Sequence, residues 1–224
     1  MVGNADGPKV SDALEHLQQL FDHKKISLAL SESKDMRLPK GTQITSVPLG
    51  FTKWYVDTIY GEQGLRDAIL QASLQNKSKG VLAAWGAKWK ELDNMIQSRK
   101  EATEFTDKSC LAPRQMIVGK DYMSTLSQYR FLLAPTGNGI STPKVAEALS
   151  VLTIPIVQRV PDGGYWDDLK ELYGWPLAIV DKWDEITPEN LQKWWVELAP
   201  QLNRARHNLL ADRWWYQINH LDLE

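Results

Sequence analysis

The sequence predicts an α/β fold built on a parallel, doubly wound sheet of Rossmann-like type, and two observations carry that prediction. Short apolar runs alternate with stretches of helical spacing along most of the 224 residues. Within residues 131–157 a strand, a Gly-rich turn, a helix and a second strand follow one another in about thirty residues, the size of a βαβ unit. Sheets of this kind bind ligands beyond the carboxyl ends of their strands, where the strand order reverses.

The elements follow from local chemistry. Ser11 opens a helix in which Leu14, Leu17, Leu20 and Phe21 recur at helical spacing. Residues 26–30 read as a strand, 31–42 as a polar loop carrying Pro39 and Gly41, and 44–47 as another strand. A helix over 64–74 places Leu65, Ile69, Ala72 and Leu74 on one side, a buried strand follows over 80–85, and a helix over 89–102 contains Arg99. Residues 115–118 read as a short strand, and Asp121 is placed to cap a helix over 122–128. Beyond the central unit, Gly163 and Gly164 make a loop, 166–172 a short helix and 177–180 a strand. Pro188 starts a helix that runs to about 198, and 201–219 forms a last one.

The central unit carries the chemistry. Residues 131–134 are an apolar run bounded by Pro135 and Gly137, too short for a helix, and read as a buried strand. Ser141 and Thr142 are placed to accept hydrogen bonds from the free amides of a helix start, and Pro143 at the first helical position needs no partner for the amide it lacks. The helix runs over 143–151 and a second buried strand over 154–157. Gly137 and Gly139 let the backbone approach a ligand closely, and the helix behind them presents free N–H groups and the positive end of its dipole. A phosphate fits such a place. Lys144 in the first turn opposes that dipole unless an anion offsets it. Glu147, flanked by Val145, Ala146, Ala148 and Leu149, lies on or beside an apolar surface. A buried carboxylate needs partners, and ribose hydroxyls supply them.

Composition bounds the remaining classes. The 43% hydrophobic content supports a substantial core in one large or two small domains. A formal charge of -2 from 26 basic and 28 acidic residues gives no whole-chain field favouring nucleic acid or a membrane surface. The single cysteine, Cys110, excludes an intramolecular disulfide and a Cys-based zinc cluster, which points to a reducing compartment. With no apolar run long enough for a membrane span and no apolar core of a signal peptide at the N-terminus, a cytoplasmic location is expected. Of ten tryptophans, Trp166, Trp175, Trp183, Trp194, Trp195, Trp214 and Trp215 fall late in the chain, and the helical pattern around Trp194 and Trp195 favours an aromatic core over sugar-stacking platforms.

The segment from Phe131 to Val157 resembles the C-terminal part of exostosin-like glycosyltransferases, whose pattern runs approximately F-x-L-x-P-x-G-N-G-x-D-T-H-R-x-x-E-A-L-x-x-G-x-I-P-I-V. Pro135, Gly137, Asn138, Gly139, Thr142, Glu147, Ala148, Leu149 and residues 154–157 match. Tyr122, Leu126, Tyr129 and Phe131 keep the family spacing upstream, and residues 176–187, P-L-A-I-V-D-K-W-D-E-I-T, are similar to its later P-V-x-I-V-x-x-W-x-E-I-T. The resemblance implies a GT-B-like architecture. Val47 to Gly50, V-P-L-G, resembles the I-P-L-G that separates the family's two domains, so residues 1–50 form a shortened N-terminal part, the remnant of an acceptor-side domain, and 51–224 the Rossmann-like nucleotide-sugar-binding domain.

The same resemblance implies transfer of a sugar from a nucleotide-sugar donor to a hydroxyl of a carbohydrate or glycan acceptor, and leaves open a partner domain supplied in trans for the shortened part. The turn at Gly137, Asn138, Gly139, Ser141 and Thr142 then faces the diphosphate together with Lys144, and Glu147 holds the ribose. Ser98-Arg99 is similar to the family's Asn-Arg pair and brings Arg99 to the phosphates. Three positions depart from the pattern: Ser141 stands for Asp, Pro143 for His and Lys144 for Arg, and lysine loses the bidentate fork. No D-x-D triplet is present, so no metal or other cofactor is expected. The departures keep a non-catalytic nucleotide-sugar or glycan-binding module open as an alternative. An ordinary dinucleotide oxidoreductase lacks its G-x-G-x-x-G spacing, because position 142 is Thr. No catalytic base is assigned; His23, His207 and His220 lie outside the matching region, and Asp162 follows a strand into a loop.

Overall fold

The structure, a computed structural model, describes residues 2–3, 10–32, 34–39, 42–85, 97–137, 139–160, 164–210, 212–213 and 216–217. It is an α/β protein with two parallel sheets. The first comprises β1 (Val2–Gly3), β2 (Ala29–Ser31) and β3 (Ile44–Ser46) in that order, with α1 (Val10–Asp22) between β1 and β2 in the chain. Val10, Ala29 and Ile44 are its buried centre, with Leu14, Leu17 and Phe21 packed against them. The strand expected over 26–30 begins only at Ala29. Lys24 ends α1 in the left-handed region (φ 55°), with the Lys25 amide reaching back to the Leu20 carbonyl at 3.0 Å. This helix-terminating turn uses up the residues in between.

The second sheet comprises β4 (Lys79–Ala83), β5 (Tyr129–Leu133), β6 (Ile154–Gln158) and β7 (Ala178–Val180), all parallel and in that order. Helices cover both faces, which is why the strands read as unbroken apolar runs. On one face Leu82, Ala84 and Leu132 meet α3 (Glu62–Gln71) and α5 (Gly119–Leu126) through Ala68, Met123 and Leu126. On the other, Val81, Ala83, Phe131, Leu133, Ile154 and Ile156 join the buried residues of α4 (Gln97–Lys108), α7 (Tyr165–Tyr173), α8 (Pro188–Leu198) and α9 (Leu202–Asn208). Trp85, Trp166, Trp175 and Trp183 are buried there, and Trp194 and Trp195 pack against them. Trp214 and Trp215 lie outside the described residues. The helix expected over 201–219 is described as α9 and as helical residues at 212–213 and 216–217.

The strand expected over 115–118 is absent. In its place Arg114 makes a single parallel bridge to Ala83, and the Gln115 amide donates to the Ala83 carbonyl at 2.8 Å. The chain then leaves the sheet because α5 must start against residues 56–60: a Cβ on Gly119 would come within 2.8 Å of the Ile59 carbonyl oxygen. The bridge still decides the topology. Ala83 pairs with Leu133 on one side and with Arg114 on the other. Residues between β4 and β5 in sequence therefore lie outside β4 in space, and the strand order reverses at β4.

Further differences concern the helices. α5 begins at Gly119 with Val118 as its uncapped N-terminal neighbour, so Asp121 lies inside the first turn and is not the cap. α4 continues six residues past the expected end at Ala102, to Lys108, while residues 86–96 lie outside the described residues. Lys53–Tyr55 form a short α2 that runs into a π-helical turn over Val56–Tyr60, neither expected from the sequence. α7 joins the two sheets. Tyr165 and Tyr173 donate to the carbonyls of Val47 and Ser46 at 3.0 and 2.8 Å, and Asp168 accepts from Lys34 at 2.7 Å and Ser46 at 2.6 Å.

Candidate functional site

A cavity of about 450 Å³ opens beyond the carboxyl end of β4, where the strand order reverses. Three of its walls come from separate elements. The α2 and π-helical segment contributes Tyr55, Ile59 and Tyr60, the chain leaving the Arg114 bridge contributes Gln115, Met116 and Ile117, and α6 (Pro143–Ser150) contributes Lys144 and Glu147. Trp85, Arg99 and Tyr122 also line the cavity.

Glu147 is 1% exposed. Its Oε1 accepts a hydrogen bond from the Tyr60 hydroxyl at 3.2 Å, and Oε2 has no partner among the described residues. Burial raises the carboxyl above its ordinary pKa of 4.5, against Lys144 and the Tyr60 and Tyr122 hydroxyls, which favour the charged form. Lys144, three residues earlier on the same helical face, donates to the Tyr122 hydroxyl at 3.2 Å and stands 4.6 Å from the centroid of that ring. Burial lowers the Lys144 pKa, with Glu147 acting against it and Arg99 with it. Tyr60 and Tyr122 are raised above the ordinary phenol value by burial first and by Glu147 second, so both hydroxyls stay protonated donors.

Arg99 reaches the same cavity from α4. Its Nε donates to the Thr136 carbonyl at 3.1 Å, and a Cβ on Gly137 would lie 3.1 Å from its Nη2. Gly137 therefore serves close approach, the approaching group being the Arg99 guanidinium. The structure thus brings Gly137, Arg99, Lys144 and Glu147 to one place. Gly139 closes the turn by accepting from the Gly137 amide at 3.2 Å. Asn138 lies outside the described residues, as does Asp162.

Ser141 and Thr142 do not cap α6. The Ser141 hydroxyl accepts from Tyr165 at 2.9 Å, and the Val145 amide bonds to the Thr142 carbonyl at 3.2 Å rather than to a side chain. Both residues are buried and outside the cavity lining. Ser141 ties the turn to α7, the helix that also holds Val47. The Lys144 amide, in the first turn of α6, has no carbonyl partner within the helix and forms part of the positive end of its dipole.

Among the described residues the lining carries two cations against one carboxylate, with tyrosine O–H and tryptophan N–H groups beside them. Such an arrangement is chemically able to hold an anion at Arg99 and Lys144 and to accept a hydrogen bond from a hydroxyl at Glu147. Among the described residues no group of three or more His, Cys, Asp or Glu is placed to hold a metal ion, and no helix is long and apolar enough to cross a membrane.

Tyr55, Tyr60 and Trp85 were not anticipated as cavity residues. A usable signal existed for the first two: Thr52 precedes a segment whose Val56, Ile59 and Tyr60 recur at helical spacing. Fold and site together define a Rossmann-like parallel α/β protein with a cationic, carboxylate-bearing cleft at its strand-order reversal. No family model and no curated protein matches the chain.

Proposed function

We propose that this chain is an exostosin-like glycosyltransferase of the GT-B type, metal-independent, whose cleft holds the nucleotide part of a nucleotide-sugar donor while the sugar passes to a hydroxyl of a carbohydrate acceptor. The observation that carries this reading is the buried, half-satisfied carboxylate of Glu147 set beside Arg99 and Lys144. A ribose hydroxyl supplies the donor that Oε2 lacks. The diphosphate lies against Arg99, Lys144 and the turn at Gly137 and Gly139. As the acceptor oxygen bonds to the anomeric carbon, the bond to the diphosphate breaks, and the charge left on it is held by these cations and by the Lys144 amide. The acceptor proton goes to a base outside the cavity lining, supplied by a partner domain in trans.

Thermal unfolding in the presence of UDP, GDP, CMP and dTDP sugars tests the binding step. A ligand at a hundred-fold excess over its dissociation constant adds about 2.7 kcal/mol, which raises the midpoint by roughly 5–10 °C for a chain of this size. The shift is expected with one nucleotide class, to persist in EDTA, and to disappear in Glu147→Ala. Absence of a shift with every donor refutes the reading.

A second reading, a non-catalytic nucleotide-sugar-binding module, is favoured by one observation: among the described residues the lining carries no carboxylate besides Glu147 and no histidine. Donor binding without sugar release to water or to any glycan acceptor selects that reading.

A further inference from the structure

Trp85 lines the cavity, is 4% exposed, and its Nε1 has no hydrogen-bond partner among the described residues. A buried indole N–H without an acceptor is costly, and buried tryptophans ordinarily find one. Trp166 Nε1, in the same core cluster, is also unpartnered but lies outside the cavity lining. The Trp85 ring is held in place: the Arg114 guanidinium stands 5.4 Å from its centroid, and Arg114 Nη2 donates to the Trp85 carbonyl at 3.4 Å. Ala83 pairs with Leu133, so Trp85 stands two residues beyond the last pair, level with Pro135 on the neighbouring strand. The next residue there is Thr136, whose carbonyl holds Arg99. Trp85 and the α4 residue Ala102 share one face of the sheet. Trp85 and the Thr136 carbonyl that holds Arg99 therefore lie at the same end of the sheet, with Trp85 and Arg99 both lining the cavity, while the unpartnered acceptor, Glu147 Oε2, belongs to α6.

We propose that the Trp85 indole N–H donates to a phosphate oxygen of the bound nucleotide, and that the cleft selects nucleoside diphosphates over nucleosides through Trp85 together with Arg99. This rests on the nucleotide-sugar reading and adds to it the residue that reads the phosphate end. The two unpartnered groups have opposite sense, and a ribonucleoside diphosphate satisfies both, with a ribose hydroxyl for Oε2 and a phosphate oxygen for Nε1.

Calorimetric titration of the wild-type chain and Trp85→Phe, with UDP, GDP and ADP and with their parent nucleosides, tests the assignment. Phenylalanine keeps an aromatic ring and removes the donor. Affinity for the diphosphate is expected to fall about tenfold or more, and affinity for the nucleoside to change less than about twofold. Equal losses for both ligands, or no loss for the diphosphate, overturn the assignment while leaving nucleotide binding intact. Wild-type protein that binds none of the ligands overturns the nucleotide-sugar reading as well. A second readout does not depend on the stability of the variant: the Trp85 indole proton of the wild-type chain, assigned by triple-resonance NMR, is expected to move downfield with the diphosphate and to stay with the nucleoside. An indole proton that is indifferent to the diphosphate refutes the contact.

Discussion

Glu147→Gln separates a ligand-binding carboxylate from a structural one. Glutamine keeps the size of the side chain and an acceptor for the Tyr60 hydroxyl, which now bonds Oε1 at 3.2 Å, and removes the charge. In the unliganded protein two contributions oppose each other. The unpaired, buried Oε2 costs about 1–3 kcal/mol, and its removal stabilises. Loss of the attraction to Lys144, which favours the charged carboxyl, destabilises by a comparable amount. The net change is expected within about 1 kcal/mol, or roughly 2–4 °C in the unfolding midpoint. Binding behaves differently, because a hydrogen bond to a charged group contributes about 1.5–3 kcal/mol, and its loss weakens nucleotide affinity by about ten- to 150-fold. Thermal unfolding without ligand and calorimetric titration with the bound nucleotide measure the two effects. A fall of more than about 3 kcal/mol in stability with unchanged affinity would show that Glu147 anchors Tyr60 and Tyr122 and holds no ligand. The pH dependence has a definite sign. The folded carboxyl titrates above its ordinary 4.5, so the native state holds more protons than the unfolded one just above that value, and stability falls there as pH rises. In Glu147→Gln this fall is expected to vanish.

Three further outcomes are expected. Gly137→Ala sets a Cβ 3.1 Å from Arg99 Nη2; the flexible guanidinium moves, so stability changes by less than about 1 kcal/mol while calorimetric affinity for the nucleotide falls. Asp168→Ala leaves Lys34, 7% exposed, without the carboxylate it pairs with, and is expected to cost about 3–5 kcal/mol; hydrogen exchange should show β2 and β3 losing protection while β5 and β6 keep theirs. Lys77 donates to the Val151 carbonyl and Thr153 at the end of α6, and burial lowers its pKa from 10.5 to about 7. The unfolded chain then holds more protons between those values, so stability rises with pH across that window, and urea midpoints of Lys77→Met should lose the rise.

The β5, α6 and β6 unit was legible almost residue by residue. Pro143 begins α6 as expected, and the strand over Ile154–Gln158 extends the expected one by a single residue. Its punctuation is local: a proline and two glycines bracket apolar runs that only a buried strand and a short helix accommodate. The α2 and π-helical segment was only weakly legible, through the helical spacing of Val56, Ile59 and Tyr60. Val56, Thr58 and Ile59 are β-branched and weaken a helical reading, and the segment is held by Gly119 pressing on Ile59 and by Tyr60 reaching Glu147, contacts made across the fold. The strand expected at 115–118 has the right composition, but Met116 and Val118 end up 75% and 65% exposed because α5 must begin at Gly119.

By itself the sequence determined the parallel α/β class, the two-sided burial of the central strands, and the turn and helix that carry Gly137, Lys144 and Glu147, because each depends on periodicity and on proline and glycine at fixed places. Tertiary structure alone decided which polar groups meet. Tyr60 and Glu147 are 87 residues apart in the chain and share a hydrogen bond, whereas Ser141, adjacent to the turn, is drawn away by Tyr165. The cleft exists because the strand order reverses at β4, and a single bridge between Ala83 and Arg114 makes that reversal. Pairing across the fold minimises unpaired polar groups and apolar exposure together, and no window of neighbouring residues contains that information.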